Sequence, residues 1–107
     1  MTDRVKDIVI RGGENISARE VEEVLVRHPA VGEVAVCAAP DDVWGEDVCA
    51  LVVPRLGGPA PTVRGLQRTA LLAGLAAHQL PSRVVLIDAL PRTSAGKVRK
   101  RDLRSLL

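Results

Sequence analysis

Residues 33–53 read EVAVCAAPDDVWGEDVCALVV. Two apolar runs, Glu33 to Ala39 and Glu46 to Val53, flank a short connection containing Pro40, Asp41, Asp42, Trp44 and Gly45. Short apolar runs bounded by Pro, Asp and Gly predict strands. The connection is too short for a parallel crossover, so the two strands are expected to be antiparallel neighbours. A sheet therefore sits at the centre of the fold, and the remaining elements are placed around it.

Upstream, Ile8-Val9-Ile10 is a short β-rich run ending in Arg11-Gly12-Gly13-Glu14-Asn15. The adjacent glycines open backbone angles closed to other residues and let another molecule approach closely. A helix is expected next. Ser17 can cap it, Glu20 stands three residues on as a capping box requires, and Ile16 and Val21 occupy the staple positions. Val21, Val24 and Leu25 repeat at helical spacing, with Arg19, Glu22, Glu23 and Arg27 facing outward. His28-Pro29 ends the run, because a residue before proline avoids the helical region.

Downstream, the stretch from Arg55 to Pro61 holds two glycines and two prolines and reads as a loop. Thr62 can cap a second helix running to about His78. Its inner face would carry Leu66, Ala70, Ala73 and Ala77, widened by Leu71, Leu72, Leu75 and Ala76. Pro81 ends it. Ser82 to Asp88 is a third main strand, Leu90 to Lys97 a loop, and Lys100 to Leu106 a short closing helix. The expected fold class is α+β: about three main strands, two long helices packed on them, a short N-terminal β element and a C-terminal helix.

Composition limits the function classes. At 107 residues, 47% of them hydrophobic and 26% charged, the chain suits one domain with its own core. It has one Trp and neither Tyr nor Phe. The core is therefore aliphatic, and the aromatic platforms on which single-stranded nucleic acids stack are missing. The uncharged stretch from Thr69 to Pro81 is too short to span a bilayer. Asp3, Arg4, Lys6 and Asp7 interrupt any apolar signal core near Met1. Cys37 and Cys49 make no disulfide framework, and a cytoplasmic location is expected. His28, Cys37, Cys49 and His78 do not stand at metal-ligand spacing, so no metal site is expected within this chain. G-x-S-x-G, G-x-G-x-x-G and a complete phosphate-binding P-loop are all absent. One small domain also leaves little room for the pockets of a two-substrate enzyme.

Residues 92–107 carry six basic side chains (Arg92, Lys97, Arg99, Lys100, Arg101 and Arg104) against one acidic (Asp102), although the whole chain is only +2. Such an end could serve an anionic ligand, but on charge alone a solvated, positively charged helix is the better reading. Two loops stand out for chemistry. Arg11 to Asn15 could offer backbone N–H groups to an anion or serve as a plain strand-to-helix turn. Thr93 to Lys97 could deliver a lysine to a phosphate or carboxylate, or end in an ordinary surface lysine.

Taken together, the motifs resemble the C-terminal domain of the AMP-forming acyl-adenylate ligases, which include acyl- and aryl-CoA synthetases. The stretch from Asp3 through Gly12-Gly13-Glu14-Asn15 to Ser17 is similar to the family's hinge and glycine loop. Glu20-Val21-Glu22, His28-Pro29-Ala30-Val31, Pro40 to Glu46 and Leu90 to Val98 then follow in the family's order. The resemblance implies that residues 1–107 are a lid domain, inactive alone, working on a larger N-terminal adenylation domain. It implies ATP/AMP and coenzyme A as substrates of the full enzyme, with Mg²⁺ accompanying ATP.

By the same resemblance Lys97 is the adenylation lysine, Lys6 the hinge, and Arg4 the arginine near the nucleotide ribose. Gly12 and Gly13 line the passage for the coenzyme A arm. Trp44 touches coenzyme A in some relatives, and packing at the sheet edge fits it equally. Relatives often carry an aromatic residue and Lys before Pro81; His78-Gln79-Leu80 stands here, so that coenzyme contact is not carried over. The alternative is an interaction or regulatory domain acting in trans with an adenylating partner. The implied partners include the acyl-adenylate and coenzyme A, with no nucleic acid and no membrane span.

Overall fold

The computed structural model describes residues 8–107. In chain order it has β1 (Ile8–Arg11), β2 (Glu14–Ser17), α1 (Ala18–Leu25), β3 (Val31–Asp41) and β4 (Gly45–Pro54). Next come α2 (Val63–Leu72), a 3₁₀ turn (Ala77–Gln79), β5 (Arg83–Leu86), and α3 (Lys100–Leu103) running into a second 3₁₀ turn (Arg104–Leu106). The α+β class holds, as does the antiparallel pairing of the two central runs.

The strands make one sheet in the order β2-β1-β4-β3. Along its other edge β4 pairs with β1 at Gly45 and, further on, in parallel with β5 from Cys49 to Val52. A parallel neighbour needs a long crossover, and the segment containing α2 provides it. The strand β3 runs through Pro40 to Asp41, past the expected break. As an edge strand it tolerates a residue that lacks an N–H.

The central strands are buried on both faces, and their residues alternate between two cores. Val36, Val48, Ala50 and Val52 face α1 and α2, together with Val21, Val24, Leu25, Leu66 and Ala70. Ala35, Cys37, Ala39, Cys49 and Leu51 face the other way, where Leu90 and Leu103 of the C-terminal segment cover them.

Helix α1 forms as its caps predict. The Ser17 hydroxyl accepts from the Glu20 N–H at 3.2 Å, and Ile16 and Val21 are both buried. Glu22 departs from its expected outward role: its Oε2 accepts from the Val36 N–H at 2.6 Å and ties the helix to β3.

Helix α2 ends six residues earlier than expected. Gly74 adopts φ +97°, the Gly74 N–H donates to the Leu71 carbonyl, and the Leu75 N–H donates to the Ala70 carbonyl. This paired closure ends a helix at a left-handed glycine and turns the next apolar residue inward. Leu75 is accordingly buried, while Leu71 is 53% and Leu72 80% exposed. Ala73, Ala76 and Ala77 are exposed too, so the inner face consists of Leu66 and Ala70.

This contrast is measurable by equilibrium urea unfolding. Leu66→Ala should lose about 2–5 kcal/mol, the ordinary cost of a cavity at a fully buried leucine. Leu72→Ala should stay within about 0.5 kcal/mol of the parent.

Candidate functional site

Gly12 and Gly13 form the tip of a hairpin, not the expected strand-to-helix loop. Arg11 pairs with Glu14 across the tip, and Ile16 pairs with Val9. Both glycines have positive φ, +57° and +86°, as a two-residue type I′ hairpin turn requires.

The two glycines serve different ends. The Gly12 N–H donates to the Trp44 carbonyl at 2.9 Å, and a β-carbon on Gly12 would lie 2.7 Å from Trp44 Cε3. The space beside Gly12 is thus filled from within the domain. Among the described residues nothing lies within 4 Å of a β-carbon built on Gly13.

Arg11 and Asp41 fix this end of the sheet. The Arg11 guanidinium lies 5.5 Å from the Trp44 ring centroid, a cation–π distance. Its Nε meets Asp47 Oδ1 at 3.4 Å, and its Nη1 donates to the His78 carbonyl at 3.2 Å. Asp47 is buried and also accepts from the Val48 N–H. Asp41 Oδ1 accepts from the Val43 and Trp44 N–H groups, both at 2.8 Å. The Trp44 N–H first, then that of Val43, holds the Asp41 carboxyl below the usual carboxylate range. Trp44 is therefore held at its backbone and over one ring face, yet remains half exposed. The sequence reading missed Arg11 and Asp41; an aspartate opening a tight turn was the available signal for Asp41.

Lys97 sits on a second hairpin. Arg92 pairs with Val98, the Thr93 N–H donates to the Lys97 carbonyl at 2.7 Å, and the Gly96 N–H donates back to the Thr93 carbonyl at 2.9 Å. Gly96 takes φ +86°, and Thr93 Oγ1 accepts from the Lys97 N–H at 3.3 Å. Lys97 is exposed beside this tight turn, so its ammonium is presented outward on a defined backbone. Two basic residues of the same end are paired internally: Arg92 with Glu33, and Arg99 with Asp102.

The structure brings Gly12, Gly13 and Trp44 together and keeps Lys97 apart from them. The glycine hairpin meets β4 at Gly45, opposite Asp41, whereas Arg92 of the lysine hairpin meets Glu33 near the start of β3. The eight residue steps from Glu33 to Asp41 span roughly 26 Å of extended strand. Arg4 and Lys6, expected at the ribose and the hinge, lie outside the described residues. Among the described residues no cluster of His, Cys, Asp and Glu could hold a metal ion, and no helix is long and apolar enough to cross a membrane.

The family model described as the AMP-binding enzyme C-terminal domain matches residues 20–97. The chain is 46% identical over 104 residues to pyochelin synthase PchD of Pseudomonas aeruginosa, covering 97% of this chain and 19% of that protein. It is 48% identical over 102 residues to a long-chain-fatty-acid–CoA ligase of Thermus thermophilus, covering 95% of this chain and 18% of the relative. The apo structure of Mycobacterium smegmatis MbtA superposes with a TM-score of 0.89 at 40% identity, covering 96% of this chain and 19% of that one. The chain thus spans about a fifth of the length of the curated relatives it matches.

The sole tryptophan makes the glycine hairpin observable by fluorescence. Gly12→Ala should cost about 1–3 kcal/mol and shift Trp44 emission to the red, since the methyl group displaces the ring. Gly13→Ala, equally left-handed but unobstructed, should cost about 1 kcal/mol and leave the emission unchanged. Because the Asp41 pKa is lowered, the order it confers on the turn is complete above the ordinary carboxylate pKa. That order is lost as pH falls through the lowered value. Acid titration of Trp44 emission should show a transition below the usual carboxylate range, and Asp41→Asn should remove it.

Proposed function

The chain belongs to the AMP-binding enzyme C-terminal domain family, and on that footing we propose that it is the mobile lid of an ATP-dependent fatty or aromatic acyl-CoA ligase. The observation that carries this reading is the placement of its two chemical hairpins at opposite ends of β3. A ligase that works in two steps at one acyl group needs a cation at the phosphate first and an open passage for a thiol later. Hairpins anchored at points roughly 26 Å apart along one strand can serve one reaction centre in turn if the domain rotates between the steps.

In the first step the substrate carboxylate attacks the α-phosphorus of ATP, and pyrophosphate leaves. Two anions must approach, and negative charge builds on the phosphoryl oxygens. The Lys97 ammonium, carried on its Gly96-hinged hairpin, lies between them and stabilises that charge. In the second step the domain turns about Lys6, and the glycine hairpin replaces the lysine hairpin at the centre. The pantetheine arm of coenzyme A passes beside Gly13, where no side chain intrudes. Trp44, half exposed and held by Arg11 and Asp41, offers an apolar wall to the same arm.

Arg4 approaches the nucleotide ribose. Mg²⁺ travels with ATP on the N-terminal adenylation domain, and the isolated chain is inactive. Cys37 and Cys49, both buried and neither in a disulfide, suit the reducing cytoplasm.

Lys97→Ala in the complete ligase tests the reading. Acyl-adenylate formation, followed by pyrophosphate exchange, should fall by at least about 10²–10³-fold, the scale for removing one preorganised charge-stabilising group. Thioester formation from supplied acyl-adenylate should persist. Normal adenylation in that variant would refute the assignment.

A further inference from the structure

Arg92 makes two contacts that join the lysine hairpin to a distant part of the chain. Its Nη1 donates to the Gly96 carbonyl at 3.0 Å, closing the hairpin from the side. Its Nη2 donates to a carboxylate oxygen of Glu33, 59 residues away on β3. One planar guanidinium thus grips the turn immediately before Lys97 and the sheet edge together. A lysine in its place would be a point charge without the fork that reaches both acceptors at fixed angles.

The rest of the hairpin is seated at its base. Leu90 is buried and Val98 half buried in the second core, and the Arg99 N–H donates to the Pro91 carbonyl at 2.8 Å. Between those anchors, residues 93–97 project as a short arm that is exposed throughout. The Arg92 fork braces that arm. Arg92 and Glu33 are themselves 42% and 43% exposed, so solvent screens their attraction and the pair adds little to global stability. What the pair does supply is orientation, because it fixes the Gly96 peptide and with it the origin of the Lys97 side chain.

We propose that Arg92 and Glu33 are positioning residues for Lys97, a strut that sets where its ammonium arrives during adenylation. The proposal rests on the reading of Lys97 as the adenylation lysine. A displaced ammonium loses transition-state stabilisation more than substrate binding. Loss of the strut should therefore appear in kcat of the adenylation step, with little change in KM. It should leave the thioester step alone, because the glycine hairpin lies at the other end of β3.

The test uses the complete ligase and the Arg92→Ala, Arg92→Lys, Glu33→Ala, double-alanine and Lys97→Ala variants. Arg92→Ala and Glu33→Ala should each lower kcat for pyrophosphate exchange about 10- to 100-fold with KM within about twofold. The double variant should be no worse than Arg92→Ala alone, since both remove one strut. Arg92→Lys should recover part of the rate, and thioester formation from supplied acyl-adenylate should match the parent. Amide hydrogen exchange at Thr93 and Gly96, whose N–H groups close the hairpin, should quicken in both single-alanine variants while the melting temperature holds.

Unchanged adenylation in Arg92→Ala beside a dead Lys97→Ala would overturn the strut and leave the lysine assignment standing. Normal adenylation in Lys97→Ala would remove the lysine assignment, and the catalytic role of the strut with it. Unchanged exchange at Thr93 and Gly96 would overturn the strut whatever the kinetics.

Discussion

The antiparallel ladder between Val31–Asp41 and Gly45–Pro54 is the constraint on which the remaining elements depend. Its two strands carry apolar residues on both faces, so a bare ladder would expose a double-sided apolar surface to water. Helices α1 and α2 cover one face, and the segment from Leu90 to Leu103 covers the other. The ladder itself is made of small and β-branched residues, which lets the covering elements come close without aromatic filling. Cys37 and Cys49 stand directly opposite each other in it, both buried and neither in a disulfide. The hydrogen bond to Cys37, then burial, pushes the Cys49 thiol far above its ordinary range. The Cys49 sulfur therefore behaves as a small core group, not as a nucleophile.

The same ladder explains why the candidate site residues sit at its ends. Its middle is covered on both faces, so exposed groups gather where the strands stop. At one end the β3–β4 turn presents Trp44 and receives the glycine hairpin through Gly12, Gly45 and Arg11. At the other, beside the bulge between Val31 and Glu33, Glu33 meets Arg92. The part of β3 from Glu33 to Asp41 thus becomes a spacer between two hairpins.

Local signals made much of this legible. Ser17, Glu20, Ile16 and Val21 announced the start of α1 because a cap and a staple act over four or five residues. Thr62 announced α2 in the same way, and its hydroxyl accepts from the Gly65 N–H at 3.0 Å. Gly74 carried an equally local stop signal that the apolar pattern around it hid. Leucine and alanine at positions 70–77 satisfy a helical period whether or not the helix continues. The Gly12-Gly13 pair was read as a loop because Asn15-Ile16-Ser17 is too short to show strand alternation by itself. It becomes β2 by pairing with β1, where Ile16 meets Val9 and goes into the core.

The order of the main strands and helices other than β2, the caps, the apolar character of the central runs and the glycine-hinged lysine loop follow from neighbouring residues alone. Chain stereochemistry and short hydrogen bonds decide such features before any tertiary contact forms. The partners of Arg11, Glu22 and Arg92 were decided elsewhere. Each reaches an acceptor or donor that becomes its neighbour only after the sheet has assembled: Asp47, Val36 and Glu33. The same holds for the division of labour between Gly12 and Gly13, which depends on a tryptophan ring more than thirty residues away. A charged side chain announces its chemistry in the sequence but not its partner. Which opposite charge lies within reach is set by strand register, and register is settled by packing both faces of the sheet at once.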